Sequence, residues 1–191
     1  VDAKRGIAVG AYGLLLLTDD GGTHWRLHPD YLLNTEKSHF YSVAALAFNT
    51  LLLTGEQGVL WRSRDLGTTW EALKAPYQGS LFGALTLKDK SVLIFGLRNH
   101  VFKSSDAGDN WRAVQTGSQS TVLGGATFGE HGVALLTTDG AILISHNDAQ
   151  SFTLQQLSDR SANSAALQNA AGELLVTGRA GIQSIHMENA K

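Results

Sequence analysis

Short apolar runs alternate with glycine-rich, polar turns along most of the chain. The pattern predicts strands near Leu81 to Leu87, at Val92 to Phe95, at Val101 to Ser104 and at Asn110 to Val114. Brief runs of Val, Ile, Leu and Phe that are bounded by turn residues are typical of β-strands. We therefore predict an all-β chain that is built from four-stranded antiparallel units.

The same unit recurs at nearly constant spacing. A turn of the form x-Gly-x-x-Gly, or a close variant, ends at positions 13, 58, 99, 140 and 181. The interval between these turns is 45 residues once and then 41 residues three times. A period of this length matches one four-stranded blade of a β-propeller. The predicted blades span residues 6–28, 40–75, 81–115, 122–157 and 163–187.

The two terminal blades are predicted to be incomplete. Residues 6–28 supply a second, third and fourth strand, whereas residues 163–187 supply only a first, second and third. The chain thus contains about four and a half to five blades. It is either part of a larger propeller of about seven blades or a five-bladed ring with shortened terminal blades. Because open edges leave backbone groups unpaired, we also expect self-association through them.

A second motif, Ser/Thr-x-Asp-x-Gly-x-x-Trp, lies in the predicted hairpin between the third and fourth strands. It occurs at 18–25, 63–70 and 104–111, and a degenerate copy with Asn, Ala and Phe at the three key positions occurs at 145–152. In this motif, called an Asp box, the carboxylate can accept backbone N–H groups, the glycine can adopt positive φ and the tryptophan can pack over the turn. The residues with these structural roles are Asp20, Gly22, Trp25, Asp65, Gly67, Trp70, Asp106, Gly108 and Trp111.

Composition and charge exclude several other classes. A net charge of −2 gives no basic surplus for nucleic acid, and no apolar run is long enough for a membrane helix. The seven histidines are scattered, and the Asp boxes lack the Asp-x-Asp-x-Asp spacing of a calcium loop. We therefore expect no nucleic acid, no direct membrane insertion, no metal and no cofactor.

The turns between second and third strands share one propeller face with the links between blades. Their mixture of charge and tyrosine is suited to a protein or peptide partner. We predict that Glu56, Tyr77, Arg98 and Arg179 are the binding residues. Other candidates on this face are Tyr12, Tyr31, Glu36, Lys37, His39, Tyr41, Gln57, Asn99 and His100.

The Asp boxes and glycine turns together resemble the BNR/Asp-box superfamily of sialidase-like propellers. Residues 55–70, which read Gly-Glu-Gln-Gly-Val-Leu-Trp-Arg-Ser-Arg-Asp-Leu-Gly-Thr-Thr-Trp, look like the photosystem II stability/assembly-factor group and its non-photosynthetic bacterial relatives. This resemblance implies an exported scaffold or assembly factor that is not an enzyme, lies in the periplasm or elsewhere outside the cytoplasm, and binds a protein partner, for example one associated with the envelope or a membrane. An arginine-rich patch is not evident, so a photosystem partner is not implied.

The alternative is a sialidase-like glycoside hydrolase or a carbohydrate-binding propeller. A sialidase needs three arginines around the substrate carboxylate, a tyrosine nucleophile with a supporting glutamate, and a separate acid. Only Arg98 and Arg179 are predicted on the suitable face, and no nucleophile-elbow, phosphate-loop or zinc-helix motif is present. The sequence therefore favours a protein without catalytic residues.

Overall fold

The computed structural model describes residues 3–30, 34 and 36–185. Within them the chain forms five antiparallel sheets, each made of consecutive strands. The first sheet contains β1 (Gly6–Val9), β2 (Leu15–Thr18) and β3 (Arg26–Leu27). The second contains β4 (Phe40–Ala45), β5 (Leu51–Gly55), β6 (Leu60–Ser63) and β7 (Glu71–Ala72).

The remaining three sheets repeat this order. The third contains β8 (Leu81–Thr86), β9 (Val92–Gly96), β10 (Val101–Ser104) and β11 (Arg112–Ala113). The fourth contains β12 (Val122–Phe128), β13 (Gly132–Thr137), β14 (Ala141–Ser145) and β15 (Thr153–Gln156). The fifth contains β16 (Asn163–Gln168), β17 (Leu174–Gly178) and β18 (Gly181–Ile185). The predicted all-β class with four-stranded antiparallel blades is confirmed.

The fourth strand of one sheet differs from the expected strand ends. The fourth strand of the third sheet is shorter than the predicted stretch of 110–114, because Asn110 and Trp111 belong to the preceding Asp-box turn. The fifth predicted blade was expected to end at residue 187, and residues 186 and 187 lie outside the described residues.

The second and third strands of the central sheets are buried on both faces. Every residue of β5, β9 and β13 is buried, which explains why these strands are continuous apolar runs rather than alternating ones. Leu53, Leu93 and Leu135 are completely inaccessible to solvent. Each such side chain contributes about 1.5–3 kcal/mol of hydrophobic stabilisation.

Four hydrophobic clusters join consecutive sheets. Representative members, in order from the first interface to the fourth, are Leu15 with Trp61, Leu52 with Ile94, Phe95 with Leu135, and Leu136 with Val176. Among the described residues, no such cluster joins the first sheet to the fifth. The sheets therefore pack against one another in chain order.

The first strands of the four later sheets, β4, β8, β12 and β16, pack beside one another and line the central channel. Each of these strands contains a register shift near its start, between Phe40 and Ser42 in β4 and at the equivalent place in the others. The shift leaves one extra residue in each strand. These bulge residues are Tyr41, Phe82, Leu123 and Ser164.

The two ends of the channel differ in the elements that surround them. The upper face contains the turns between second and third strands and the links between sheets. The turns are at 10–14, 56–59, 97–100, 138–140 and 179–180, and the described link residues are 28–30, 34, 36–39, 73–80, 114–121 and 157–162. The lower face contains the Asp-box hairpins and the turns between first and second strands. In the part of the chain described above, no helix has the length and apolar character needed to span a membrane.

Candidate functional site

The Asp boxes stabilise hairpins on the lower face. In the second box, Asp65 Oδ1 accepts the backbone N–H of Thr69 at 2.9 Å and the Ser63 hydroxyl at 2.7 Å. Ser63 Oγ in turn accepts the N–H of Gly67 at 2.7 Å. Sequence reasoning recognised the Ser/Thr of the motif but gave it no role, although it links the carboxylate to the glycine. The glycine itself has a φ of 86°.

The first and third boxes have the same bonds, centred on Asp20 and Asp106. Bonds from the backbone N–H and side chain of Asn110, followed by the hydroxyl of Ser104, lower the pKa of Asp106 to about 2. The glycines of these two boxes also have positive φ, 90° at Gly22 and 97° at Gly108. The carboxylates are saturated by their own turns, so the boxes are structural elements of the lower face.

The tryptophans of the boxes pack against the preceding sheet. Trp70 contacts the cluster between the first and second sheets, and Trp111 the cluster between the second and third. Trp25 belongs to the first sheet and is 45% exposed, with its indole N–H donated to the Gly22 carbonyl at 3.1 Å. No preceding sheet covers it among the described residues. The predicted self-association through open edges stays a prediction.

The upper face is held together by a repeated backbone bond between turn and link. The first turn residue donates its N–H to the carbonyl of the incoming link, and each of the four donor–acceptor distances is 3.0 Å. The pairs are Glu56 to His39, Leu97 to Ser80, Thr138 to Thr121, and Arg179 to Ala162. Turns and links therefore form a single ordered surface.

This close approach explains the first glycine of the repeated turn. A Cβ on Gly96 would lie 2.0 Å from the Ser80 carbonyl oxygen, and one on Gly178 would lie 2.2 Å from that of Ala162. Both distances are far below van der Waals contact. The glycine is thus required by packing against the link.

Glu56 and Tyr77 lie on the upper face, as expected from their turn and link positions, but both are engaged within the chain. Glu56 Oε1 accepts the backbone N–H of His39 at 2.8 Å. The Tyr77 ring stacks on His100, with ring centroids 3.7 Å apart and an interplanar angle of 10°. The two residues shape the face, and among the described residues Glu56 forms no ion pair with Arg98.

Arg98 and Arg179 also lie on the upper face and are exposed. They occupy different positions of their turns: the N–H of Arg179 bonds to the link, whereas Arg98 is the next turn residue, with a φ of 54°. Arg160, in the last link, is exposed as well. Within the described ranges, none of these three guanidinium groups has a hydrogen bond or an ion pair. Sequence reasoning did not select Arg160, because nothing in a link sequence shows which way it faces.

The nearby carboxylates, in contrast, are used internally. Burial raises the pKa of Asp139, but bonds from Thr137 and Ser120 outweigh it and hold the pKa below the usual value. The backbone N–H of Ser161 and then the Gln183 amide lower the pKa of Asp159. On the third to fifth sheets the face thus presents arginines with free guanidinium groups and aspartates that already accept hydrogen bonds from neighbouring groups.

The upper mouth of the channel contains an aromatic contact. The rings of the bulge residues Tyr41 and Phe82 lie 5.1 Å apart at 57°. Tyr41 is 40% exposed, and Phe82 and Leu123 are half-buried. Tyr31, which was also predicted on this face, lies outside the described residues. No group of three or more His, Asp or Glu side chains placed to hold a metal occurs in the described ranges.

The blade arrangement and the repeated boxes define this chain as an Asp-box β-propeller protein. Residues 1–122 match the family described as photosynthesis system II assembly factor YCF48. Because this match includes more than half of the 191 residues, the chain belongs to that family. None of the curated proteins matches the sequence significantly.

Solved structures with a similar fold include two YCF48 proteins. The structure described as YCF48 bound to D1 peptide has a TM-score of 0.77 and 18% identity, covering 96% of this chain and 60% of that one. YCF48 from Cyanidioschyzon merolae has a TM-score of 0.69 and 20% identity, covering 97% of this chain and 64% of that one. The chain therefore spans less than two thirds of either protein.

The fold is also similar to that of an enzyme. Virginiamycin B lyase from Staphylococcus aureus has a TM-score of 0.70 at 12% identity, covering 99% of this chain and 72% of the lyase. Identities this low show the fold alone, because one propeller architecture hosts unrelated functions.

Proposed function

We propose that this protein is a non-catalytic assembly or accessory factor that binds a polypeptide partner on the upper face of its propeller. The observation that carries the proposal is the set of free guanidinium groups of Arg98, Arg160 and Arg179 beside carboxylates that are already bonded. Arginine donates two parallel bonds to a carboxylate, so this surface favours an acidic segment. Family membership, and the YCF48 structure with a D1 peptide, give further support.

The arrangement of tyrosines supports a protein that is not an enzyme. A sialidase-type mechanism needs a tyrosine hydroxyl paired with a glutamate. None of the three described tyrosines, Tyr12, Tyr41 and Tyr77, has a hydroxyl bonded to a carboxylate, and Glu56 accepts a backbone N–H instead. Turnover of a fluorogenic sialoside by the purified protein would contradict this part of the proposal.

A binding assay tests the partner proposal. Fluorescence anisotropy with a labelled D1 peptide should give saturable binding that weakens as salt is added, since charge contacts are screened. Arg98→Ala and Arg179→Ala should each weaken it about tenfold through loss of a charge-assisted contact. Arg112→Ala is the matched control, because Arg112 is exposed on the short fourth strand of the third sheet. Equal losses in all three variants, or no binding at all, would contradict the proposal.

We also propose, from the family resemblance, that the protein acts outside the cytoplasm. Fractionation of the source cells with an antibody to this chain tests the location, and recovery in the cytoplasmic fraction contradicts it. Self-association is tested separately by light scattering, in which a monomer mass would exclude it.

A further inference from the structure

The bulges of the innermost strands occur at one place in each of the four later sheets. The bulge residues lie at positions 41, 82, 123 and 164, so they repeat every 41 residues. A bulge turns a side chain away from the regular alternation of its strand, and bulges are enriched beside functional sites. Here the three earlier positions hold Tyr, Phe and Leu, and the last holds Ser.

These three apolar side chains do not hold the sheets together. Tyr41, Phe82 and Leu123 are absent from all four inter-sheet clusters, and each retains access to solvent. The Tyr41 and Phe82 rings instead contact each other across neighbouring first strands. Apolar side chains that lie close together and stay accessible to solvent are typical of a binding surface.

The charge next to the group indicates what it binds. The backbone N–H of Arg98 donates to Thr121 Oγ1 at 3.1 Å, two residues before Leu123. The turn that carries the free guanidinium group therefore lies next to the strand that carries Leu123. Asp139, on the following turn of the upper face, accepts the Thr137 hydroxyl. A complementary ligand needs an apolar side chain and an adjacent negative charge.

We infer that Tyr41, Phe82 and Leu123 form an apolar socket at the upper mouth of the channel, which binds one aromatic or aliphatic side chain of an extended acidic polypeptide. Arg98 binds the carboxylate that adjoins this side chain. The inference rests on the proposed function and adds to it the anchor residue that the partner must contain.

Two labelled peptides test the socket. Both have a glycine-serine background; one contains a central Asp-Phe-Asp, and the other contains Asp-Ala-Asp. The wild-type chain should bind the phenylalanine peptide about tenfold more tightly, as expected for burial of one aromatic ring. Phe82→Ser should abolish this preference and leave the affinity for the alanine peptide unchanged. Serine is suited to the bulge, because Ser164 occupies the equivalent position.

The control is Leu154→Ser, which removes an apolar side chain that is 48% exposed on β15, away from the channel. It should retain the preference for phenylalanine. If Phe82→Ser fails to fold, as judged by its thermal unfolding, Leu123→Ser provides the same comparison.

The outcomes separate the socket from the proposed function. Equal affinity of the wild-type chain for both peptides, together with a loss in Arg98→Ala, would overturn the socket and retain the upper face as the binding surface. A preference for phenylalanine that survives Phe82→Ser would also overturn the socket. No binding of either peptide would contradict both proposals.

Discussion

Lys103 joins the third sheet to the fourth, because its Nζ donates to the backbone carbonyl of Asp148 at 2.6 Å. Its repeat equivalent, Arg62, donates to the carbonyl of Ala107 at 3.0 Å and so joins the second sheet to the third. Both cations are almost fully buried. Each neutralises a carboxylate of its own sheet as well, Asp89 for Lys103 and Glu71 for Arg62. On the lower face, a buried cation thus links the second sheet to the third and the third to the fourth through the Asp-box hairpins.

Replacing Lys103 should lower the free energy of unfolding. Lys103→Met keeps the apolar stem but leaves the Asp148 carbonyl and the Oδ2 atom of Asp89 without their donor, which costs about 1–3 kcal/mol of the free energy of unfolding. Urea denaturation measures the loss. Lys88→Met is the control on the adjacent exposed turn, and an equal loss there would show that the buried bonds contribute nothing specific.

Gly96→Ala should destabilise the upper face. The new methyl group would meet the Ser80 carbonyl, so the link must move and the bond from Leu97 must lengthen, with a loss of about 2 kcal/mol or more. Gly10 occupies the equivalent place in the first sheet, and a Cβ there meets only Leu14, at 3.6 Å. The melting temperature of Gly10→Ala should therefore change little. Equal losses in the two variants would contradict the steric explanation.

The Asp boxes should make stability depend on pH in the acid range. The folded-state pKa of Asp106 is about 2, below the ordinary value of 3.8. A depressed pKa gives stability that is fully present above pH 3.8 and is lost as the pH falls through about 2. The unfolding free energy of wild type should exceed that of Asp106→Asn at neutral pH, and this difference should shrink in acid. Because the carboxylate is exposed to solvent, the difference in unfolding free energy should be small. A difference that stays constant across this pH window would contradict the assignment.

Restoring the degenerate fourth box should stabilise the protein. Asn147 Oδ1 accepts the Ser151 N–H at 3.0 Å, but its amide can only donate to the Ser151 hydroxyl. In Asn147→Asp a carboxylate would accept both groups, as Asp65 does from Thr69. We expect a gain of about 0.5–1 kcal/mol from stronger, charge-assisted bonds. Gln150→Glu adds the same charge in this turn without the box geometry, and an equal gain there would identify a general charge effect.

Much of the blade order could be predicted because the glycine turns and Asp boxes repeat in the sequence itself. Their residues satisfy local requirements, such as the positive φ of Gly67, that only a few residue types meet. The bulges could not be predicted in this way. The extra residue at Tyr41 or Leu123 follows from how a first strand pairs with the second, and any residue type can occupy it.

The candidate site was partly predictable for the same reason. The turn positions predict that Arg98 and Arg179 lie on the upper face. Whether the neighbouring side chains are already hydrogen-bonded depends on contacts between blades. Glu56 is predicted to be a binding residue, and in the structure its carboxylate accepts the backbone N–H of His39 in the incoming link. Such hydrogen bonds join residues of different repeats, so they leave no local pattern in the amino-acid sequence.

Within the described part of the chain, hydrophobic clusters join each sheet only to its neighbours in sequence, and this has a consequence for biosynthesis. Each new sheet can pack against the preceding one as soon as it has left the ribosome. Among the described residues, no cluster between sheets requires a segment that is distant in sequence. Folding by successive addition keeps the sequence separation of contacts short and limits the time that apolar strands remain uncovered. The repeat that shapes the upper face thus also provides an order in which the protein can be made.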